Sequence, residues 1–219
     1  MEMKEVEYTQ YKEFLCAKDA EEWAHTHYSD VLALPKDSFT YQSVLYYTGS
    51  MSRKWNKVLR LCPSIEDGGL EKYAAGYFAS DGEQLRMIKE VNRFLREHSV
   101  PENIVVYRYT HRKVLKQLRS AGILRKGMIF TEKGFCSTTL VKDALQKFSE
   151  QHECDCVLKI YLPKGLPGVY ASLDFPHSVL REYELLLAPN IQFEILKVHR
   201  FSRPLLVECR ANLPAETLG

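Results

Sequence analysis

The chain changes character at Pro101, and this change constrains its fold more than any other feature of the sequence. Before Pro101 apolar residues recur at helical spacing, whereas beyond it short β-rich runs are separated by glycine and proline. Helices followed by strands, without regular alternation, predict an α+β fold rather than a doubly wound parallel sheet. The 219 residues contain no internal repeat or long linker. We therefore expect one domain over 1–219, mainly helical over 1–100 and mainly β-sheet over 101–219.

Helical spacing and end signals predict four helices in the first hundred residues. One is capped by Thr9 and runs through Trp23, one is capped by Asp37 and broken at Gly49, one runs from Ser52 to Cys62, and one opens at the capping box of Asp81 and ends near His98. Two shorter helices are predicted at Arg112–Arg119 and Lys142–Ser149. The predicted strands are Ile104–Tyr109, Gly134–Leu140, Cys156–Leu162, Gly168–Ser172, Tyr183–Ala188, Ile191–Phe201 and Pro204–Cys209.

Charge and cysteine usage limit the classes of function. A formal net charge of +2 gives no field that favours nucleic acid as a partner. The basic residues between His111 and Lys126 form either a solvated helix face or a surface that attracts phosphate. The six cysteines lack the spacing of a disulfide scaffold, and His152–Cys156 has no second pair of ligands, so we expect free thiols and no metal.

The sequence also shows no secretory signal and no apolar segment long enough to cross a membrane. We therefore expect a soluble protein, with a monomer favoured, that does not insert into membranes. If the protein is exported, we expect a route that needs no such signal.

Two carboxylates, those of Glu182 and Glu184, stand two residues apart at the start of an apolar run. In an extended strand both would project from one face, about 7 Å apart. Facing a cleft, one could stabilise positive charge on a sugar-like carbon while the other orients or deprotonates the attacking group. The alternative is a half-exposed strand with both glutamates facing water.

Three other features become informative when they are considered together with Glu182 and Glu184. Arg108 lies within an apolar strand, where a charge is costly to bury unless it meets a ligand anion or forms a salt bridge to a nearby acid. Gly134 could admit a ligand, and a hydroxyl of Ser137–Thr139 could hold a carboxylate, or the segment is simply a β-branched strand. Asn56 and Arg60, four residues apart on a helix, could grip a phosphate or form a solvated face.

In this order the motifs resemble those of the mono-ADP-ribosyltransferases of the Arg, Ser-Thr-Ser, Glu-x-Glu type, typified by clostridial actin- and Rho-modifying toxins and many bacterial effectors. The similar segments are Leu45–Gly49 with Asn56 and Arg60, Val106–Arg108, Lys133–Leu140 with Thr139 where serine is commoner, and Glu182–Leu187. The resemblance implies N-terminal helices, then two packed mixed sheets that enclose a cleft. It also implies NAD+ as the co-substrate in that cleft, with no metal.

The resemblance further implies roles for individual residues, carried over by position. Arg108 would contact NAD+, and Ser137 would hydrogen-bond Glu184. Glu184 would bind the ribose hydroxyls beside the breaking nicotinamide bond, and Glu182 would position or deprotonate the acceptor. Further contacts with NAD+ are expected from Tyr109, Asn56, Arg60, Gly134, Thr138 and Phe148, although Phe148 could instead be a core residue.

The segment Ala171–Arg181 corresponds to the family's loop for the protein substrate. Its expected contacts are Phe175, His177, Val179, Arg181 and the adjacent Glu182, with Val179 where the family often has an aromatic residue. Glutamate at the first acid position implies transfer of ADP-ribose to arginine, with serine or threonine as alternative acceptors. NAD glycohydrolysis and an inactive binding module are the alternative functions. The resemblance also implies an exported toxin or effector that modifies a protein in a host or target-cell cytosol.

Overall fold

Helices precede strands along the chain, as the sequence predicts. The computed structural model describes residues 10–62, 64–65, 69–74, 76–78, 82–115, 123–145, 153–172 and 182–212. Within them the helices are α1 (Ala17–His27), α2 (Ser29–Leu32), α3 (Phe39–Tyr46), α4 (Ser52–Leu61), α5 (Gly69–Ala74) and α6 (Glu83–Glu97). None of these helices is long and apolar enough to cross a membrane.

The strands form one hydrogen-bonded sheet in the order β2-β7-β8-β4-β1-β3-β6-β5. They are β1 (Ile104–Thr110), β2 (Ile129–Glu132), β3 (Cys136–Thr139), β4 (Cys156–Leu162), β5 (Gly168–Tyr170), β6 (Glu184–Leu187), β7 (Ile191–His199) and β8 (Leu205–Asn212). β4 and β8 run parallel and the other neighbouring strands run antiparallel, so the sheet is mixed. The α+β class is confirmed.

The sheet has a five-stranded part that ends at β1 and a three-stranded part that starts at β3. In the described strands the two parts are paired through Tyr107 and Thr139 alone. A single paired position lets the two parts diverge on either side of it. Arg108 and Ser137, which the sequence assigns to the site, lie next to this junction.

Two helix starts differ from the sequence prediction. α1 begins at Ala17 rather than near Thr9, because Lys12 and Phe14 form β-bridges with sheet residues instead of helical turns. Thr9 and the predicted cap Asp81 lie outside the described residues. α3 is capped by Ser38 rather than Asp37, since the Ser38 hydroxyl accepts the N–H of Tyr41 at 3.2 Å.

Gly49 does not end a helix as the sequence predicts. It lies in a π-helical segment, Tyr47–Met51, that leads from α3 directly into α4. A glycine weakens a helix by only about 1 kcal/mol, which packing can offset. The two shorter predicted helices are seen as 3₁₀ turns over residues 112–115 and Lys142–Leu145, and their remaining residues lie outside the described ones.

β2 is the strand that the sequence does not reveal. It is four residues long, and it exists through its pairing with β7, in which Phe130 faces Phe193. The two rings stack with their centroids 5.2 Å apart. Its segment is not marked as a strand by the sequence pattern, and its pairing with β7 identifies it.

A buried aromatic group joins the helices to the sheet beneath the site. The ring of Tyr47 packs against Trp55 of α4 at 5.8 Å between centroids and edge-on against Phe135 at 5.1 Å. All three side chains are completely buried. This packing fixes the start of α4 against the segment that enters β3.

Candidate active site

Arg108 reaches from β1 to three groups on neighbouring elements. Its Nη1 donates to the carbonyl oxygen of Ser137 at 3.1 Å and to Cys136 Sγ at 3.2 Å. Its Nη2 lies 3.6 Å from Glu132 Oε2. Glu132 also accepts two hydrogen bonds from Arg60, both at 2.9 Å. Arg108 therefore forms the salt bridge to a nearby acid that the sequence offers as one alternative. Arg60 and Arg108 share the buried carboxylate of Glu132.

The charge on Glu132 is maintained although its side chain is only 4% exposed. Burial raises the pKa of Glu132, but the hydrogen bonds from Arg60 and the charge of Arg108 outweigh it and hold the pKa below its ordinary value. The backbone N–H of Gly134 donates to the same carboxylate at 3.0 Å. Glu132 thus connects α4 to β2 through hydrogen bonds from Arg60, and β1 to β2 through its ion pair with Arg108.

Tyr109 follows Arg108 in β1 but lies on the opposite face of the sheet. It packs with Val105 and Tyr107 in a second apolar cluster, whereas Val106 belongs to the main core. Successive side chains of a strand point to opposite faces, so Arg108 and Tyr109 cannot face the same cleft. The expected contact of Tyr109 with the co-substrate stays a prediction that this geometry does not support.

Glu184 is the first residue of β6 and is 6% exposed. Burial raises its pKa to about 7, and the charge of Glu182 acts in the same direction. A hydrogen bond from Ser137 and the charge of Arg108 act to lower this pKa. The hydroxyl of Ser137 also lies 3.4 Å from that of Tyr47. The structure therefore brings these groups together around one buried carboxyl whose pKa lies well above its ordinary value.

The backbone between the two glutamates is not the extended strand that the sequence predicts. Tyr183 has a φ of 46°, in the left-handed region that side chains other than glycine seldom adopt. The hydroxyl of Thr139 donates to the carbonyl of Glu182 at 2.7 Å, and the N–H of Leu140 donates to the carbonyl of Tyr183 at 3.0 Å. The segment between the glutamates is thus a bend held by hydrogen bonds from Thr139 and Leu140. Burial raises the pKa of the half-buried Glu182.

Asn56 and Thr138 point into the protein rather than towards a ligand. Asn56 Nδ2 donates to the hydroxyl of Tyr47 at 3.1 Å and to the carbonyl of Phe135 at 3.0 Å, and its Oδ1 accepts the Phe135 N–H at 2.8 Å. The hydroxyl of Thr138 donates to the carbonyl of Leu185 at 2.7 Å. Both side chains are buried and satisfied within the protein. Their expected contacts with the co-substrate stay predictions that this inward orientation does not support.

Gly134 packs against Asn56 rather than opening space for a ligand. A Cβ at this position would lie 2.6 Å from Asn56 Oδ1, which is held by its hydrogen bond to the backbone. We expect Gly134→Ala to lower the free energy of unfolding by about 1–3 kcal/mol, measured by urea denaturation. Gly49→Ala is the control, because a Cβ there meets nothing within 4 Å. Equal stability of Gly134→Ala and the wild type would contradict the tight contact.

A cleft of about 610 Å³ opens beside Arg108. Its described lining consists of Arg60, Arg108, Thr110, Lys113, Val114, Thr131, Glu132 and Lys133. Because four of these side chains are cationic and one is anionic, the cleft attracts an anion such as a diphosphate. Neither Glu182 nor Glu184 is among this lining. Arg108 connects the cleft to the region of Ser137 and Glu184, because it lines the cleft and also donates a hydrogen bond to the carbonyl of Ser137.

Of these lining residues, only Arg60 and Arg108 are among the site residues that the sequence predicts. Thr110 could have been found, because it lies two residues after Arg108 and so on the same face of β1. Lys113 belongs to the basic group around residues 111–126. Glu132 carried no signal, because its burial depends on two arginines from distant elements. The expected contacts Phe148, Phe175, His177, Val179 and Arg181 lie outside the described residues.

Comparisons with known proteins agree with this architecture. The ADP-ribosyltransferase exoenzyme family matches residues 20–205 of the chain. Comparison with curated protein sequences gives no match.

Among solved structures, the fold is similar to that of the ADP-ribosylating toxin BECa from C. perfringens with NADH, at 17% identity and a TM-score of 0.70, over 93% of this chain and 50% of that one. C3stau2 from S. aureus with NAD is similar at 15% identity and a TM-score of 0.70. This match covers 94% of this chain and 100% of C3stau2. Plx2a, an ADP-ribosyltransferase toxin from Paenibacillus larvae, is similar at 20% identity and a TM-score of 0.64. This match covers 91% of this chain and 98% of Plx2a. The chain thus spans half the length of BECa. At these identities the likeness shows a shared fold.

The family match extends over most of the chain, and the motif order and the fold agree with it. The resemblance drawn from the sequence is thereby confirmed. The protein belongs to the ADP-ribosyltransferase exoenzyme family and is an NAD-dependent ADP-ribosyltransferase.

Proposed function

We propose that this enzyme transfers ADP-ribose from NAD to an arginine side chain of a target protein and releases nicotinamide. The observation that carries the proposal is the buried carboxyl of Glu184, hydrogen-bonded to Ser137 beside Arg108 and adjacent to a second carboxyl, that of Glu182. Glu184 would stabilise the charge that forms as the nicotinamide bond breaks, and Glu182 would act on the acceptor. An enzyme that only cleaves NAD would need no second acid.

Glu184 would act in its ionised form. Loss of nicotinamide leaves positive charge on the ribose carbon, and a carboxylate in a poorly hydrated site stabilises such charge far better than one in water. The hydrogen bond from Ser137 and the charge of Arg108 both favour the ionised form of Glu184. The cationic side chains of Arg60, Lys113 and Lys133 in the cleft suit the diphosphate of the co-substrate.

Glu182 would serve the acceptor. An arginine guanidinium is protonated at neutral pH, so it must lose a proton when its nitrogen bonds to the ribose carbon. The nicotinamide departs as a neutral molecule as its bond to ribose breaks, and the released proton passes to the Glu182 carboxylate. Glu182 is half-buried, which leaves one side open to an incoming side chain.

We expect Glu182→Gln to separate transfer from cleavage. Labelling of protein by labelled NAD should fall about 100-fold, because the general base is lost. Nicotinamide release without acceptor should stay near the wild-type rate, since removing the charge of Glu182 lowers the pKa of Glu184 and favours its ionised form. The measurements are labelling of a cell lysate and nicotinamide release by purified protein.

Glu22→Gln is the control, because this exposed carboxylate lies on α1. Unchanged protein labelling by Glu182→Gln would refute the role of Glu182. Wild-type enzyme that releases nicotinamide but labels no protein would identify a glycohydrolase. Mass spectrometry of the labelled protein should place ADP-ribose on arginine, and modification of serine or threonine instead would overturn the acceptor assignment.

The partner and the place of action are part of the same proposal. The similar structures include an ADP-ribosylating enterotoxin component and an ADP-ribosyltransferase toxin, which supports an exported enzyme that acts on a protein of a target cell. Labelled bands in a lysate of target cells, and none in a lysate of the producing cells, are the result expected from this proposal.

A further inference from the structure

Two loops at one end of the five-stranded part of the sheet expose large apolar side chains. Phe201, in the turn between β7 and β8, is 99% exposed, and Ile123, before β2, is 69% exposed. Arg200 Nη2 donates to the carbonyl oxygen of Leu124 at 2.7 Å. This hydrogen bond connects the two loops, so Phe201 and Ile123 belong to one surface.

The turn that presents Phe201 is held by its own hydrogen bonds. The hydroxyl of Ser202 donates to the carbonyl of His199 at 2.7 Å and accepts the N–H of Leu206 at 2.7 Å. The Ser202 N–H also donates to the His199 carbonyl, at 3.1 Å. An ordered turn therefore holds a phenylalanine ring in water, although burying that ring would gain about 1.5–3 kcal/mol.

Cations lie within three residues of the two apolar side chains along the chain. The exposed ones are Arg125, Lys126, Arg200 and Arg203. Within the described part of the chain none of the four forms an ion pair with a carboxylate. A nearby acid is Asp155, whose backbone contacts Leu205 and whose carboxylate is engaged by Arg112. Among the described residues, the surface therefore combines apolar side chains with cations that form no ion pair with a carboxylate.

We propose that this surface, which consists of Ile123, Arg125, Lys126, Arg200, Phe201 and Arg203, docks the enzyme on membranes that contain anionic lipid. We call it the basic-aromatic tip. Its two apolar side chains enter the boundary between headgroups and acyl chains, and its cations pair with lipid phosphates. Such docking is peripheral and needs no membrane-spanning helix.

A lipid surface suits the basic-aromatic tip better than a protein partner does. The ring of Phe201 projects almost free of protein contact rather than lining a groove, so an acidic peptide would find no apolar pocket beside the cations. A lipid layer, by contrast, receives a projecting ring and supplies anions around it. This pairing of ring and cation is how amphipathic surfaces bind membranes.

The basic-aromatic tip is close to the cleft. Thr131, which lines the cleft, is five residues beyond Lys126, so at most roughly 18 Å separates them along the chain. A docked enzyme would hold its cleft near proteins attached to the same membrane.

Vesicle co-sedimentation tests the proposal. Wild-type protein should sediment with phosphatidylcholine vesicles that contain about 30% phosphatidylserine, and should stay in solution with vesicles of phosphatidylcholine alone. Added salt should weaken the binding, because it screens the cations. The assay contains no NAD, so its result is independent of the proposed acceptor. Protein that fails to sediment with the anionic vesicles would overturn the proposal.

Matched variants show whether the tip is responsible. Arg125→Gln, Lys126→Gln and Arg203→Gln together should lower the partition coefficient on the order of 100-fold, and Phe201→Ser alone about tenfold. Three exposed lysines elsewhere are the control, replaced as Lys18→Gln, Lys36→Gln and Lys164→Gln. Circular dichroism should show every variant folded. Equal loss by the control, or full binding by Phe201→Ser, would refute docking through the tip.

Discussion

Replacement of Glu184 by glutamine is expected to lower the rate of nicotinamide release by about 10²–10³-fold while stabilising the folded protein above pH 7. The loss of rate follows because a neutral amide cannot stabilise positive charge on the ribose carbon. The gain in stability follows from the pKa of Glu184, which burial raises from 4.5 to about 7. An enzyme that keeps a carboxyl where it is costly to ionise exchanges stability for activity.

The pH dependence of this effect has a definite sign. The folded protein binds the proton of Glu184 more tightly than the unfolded chain does, so the wild type loses stability as the pH rises from 4.5 through 7. The free energy of unfolding falls by about 3 kcal/mol in total. Glutamine has no ionisable side chain, so Glu184→Gln does not show this fall. Thermal unfolding should therefore show Glu184→Gln more stable than the wild type at pH 8 and similar to it at pH 5.

Two results would contradict the assignment of Glu184. Nicotinamide release that survives in Glu184→Gln would show that another group supports cleavage. A variant that is less stable than the wild type at pH 8 would show that the carboxyl is not held in an unfavourable environment. Glu194→Gln is the control, because this carboxylate pairs with Arg210 on β7 and β8, away from Ser137.

Replacement of Glu132 by glutamine is expected to lower the free energy of unfolding by about 3–5 kcal/mol. The carboxylate of Glu132 is nearly fully buried and faces both Arg60 and Arg108. Removing its charge leaves Arg108, with a side chain 15% exposed, without a described carboxylate partner. The large cost is that of a buried charge with no counter-charge in contact with it, rather than the contribution of the ion pair itself.

Urea denaturation at neutral pH measures this effect. Glu71→Gln is the matched control, because Glu71 pairs with Lys89 at the surface, where both side chains are more than 40% exposed. An exposed pair contributes about 0–1 kcal/mol, so the control should lose little. Equal losses in the two variants would show that the network of Glu132 is no stronger than a surface ion pair.

The order of elements and several motif residues could be predicted from the sequence. Cys156–Leu162 is predicted as a strand with the bounds that β4 has, because its apolar and β-branched residues lie between polar turns. The helix from Ser52 is likewise found, since its apolar residues recur at helical spacing up to Cys62. These features depend on neighbours within a few residues, which the sequence displays directly.

The candidate site shows where local patterns fail. The spacing of Glu182 and Glu184 assumes an extended chain, but the left-handed Tyr183 between them is held by hydrogen bonds from β3. Asn56 and Arg60 share a helix face by spacing, yet only Arg60 lines the cleft. A residue far away in the sequence decides each case, as Phe135 does for Asn56.

The sequence by itself determined the class of fold, the family and the pair of acids. Periodicity is visible over a few neighbouring residues, and the order of the motifs is visible along the chain. The tertiary structure alone decided the pKa of Glu184, the partners of Glu132 and the inward orientation of Asn56. Each of these depends on burial and on charges brought together by folding. Such contacts arise between residues that no spacing along the chain connects.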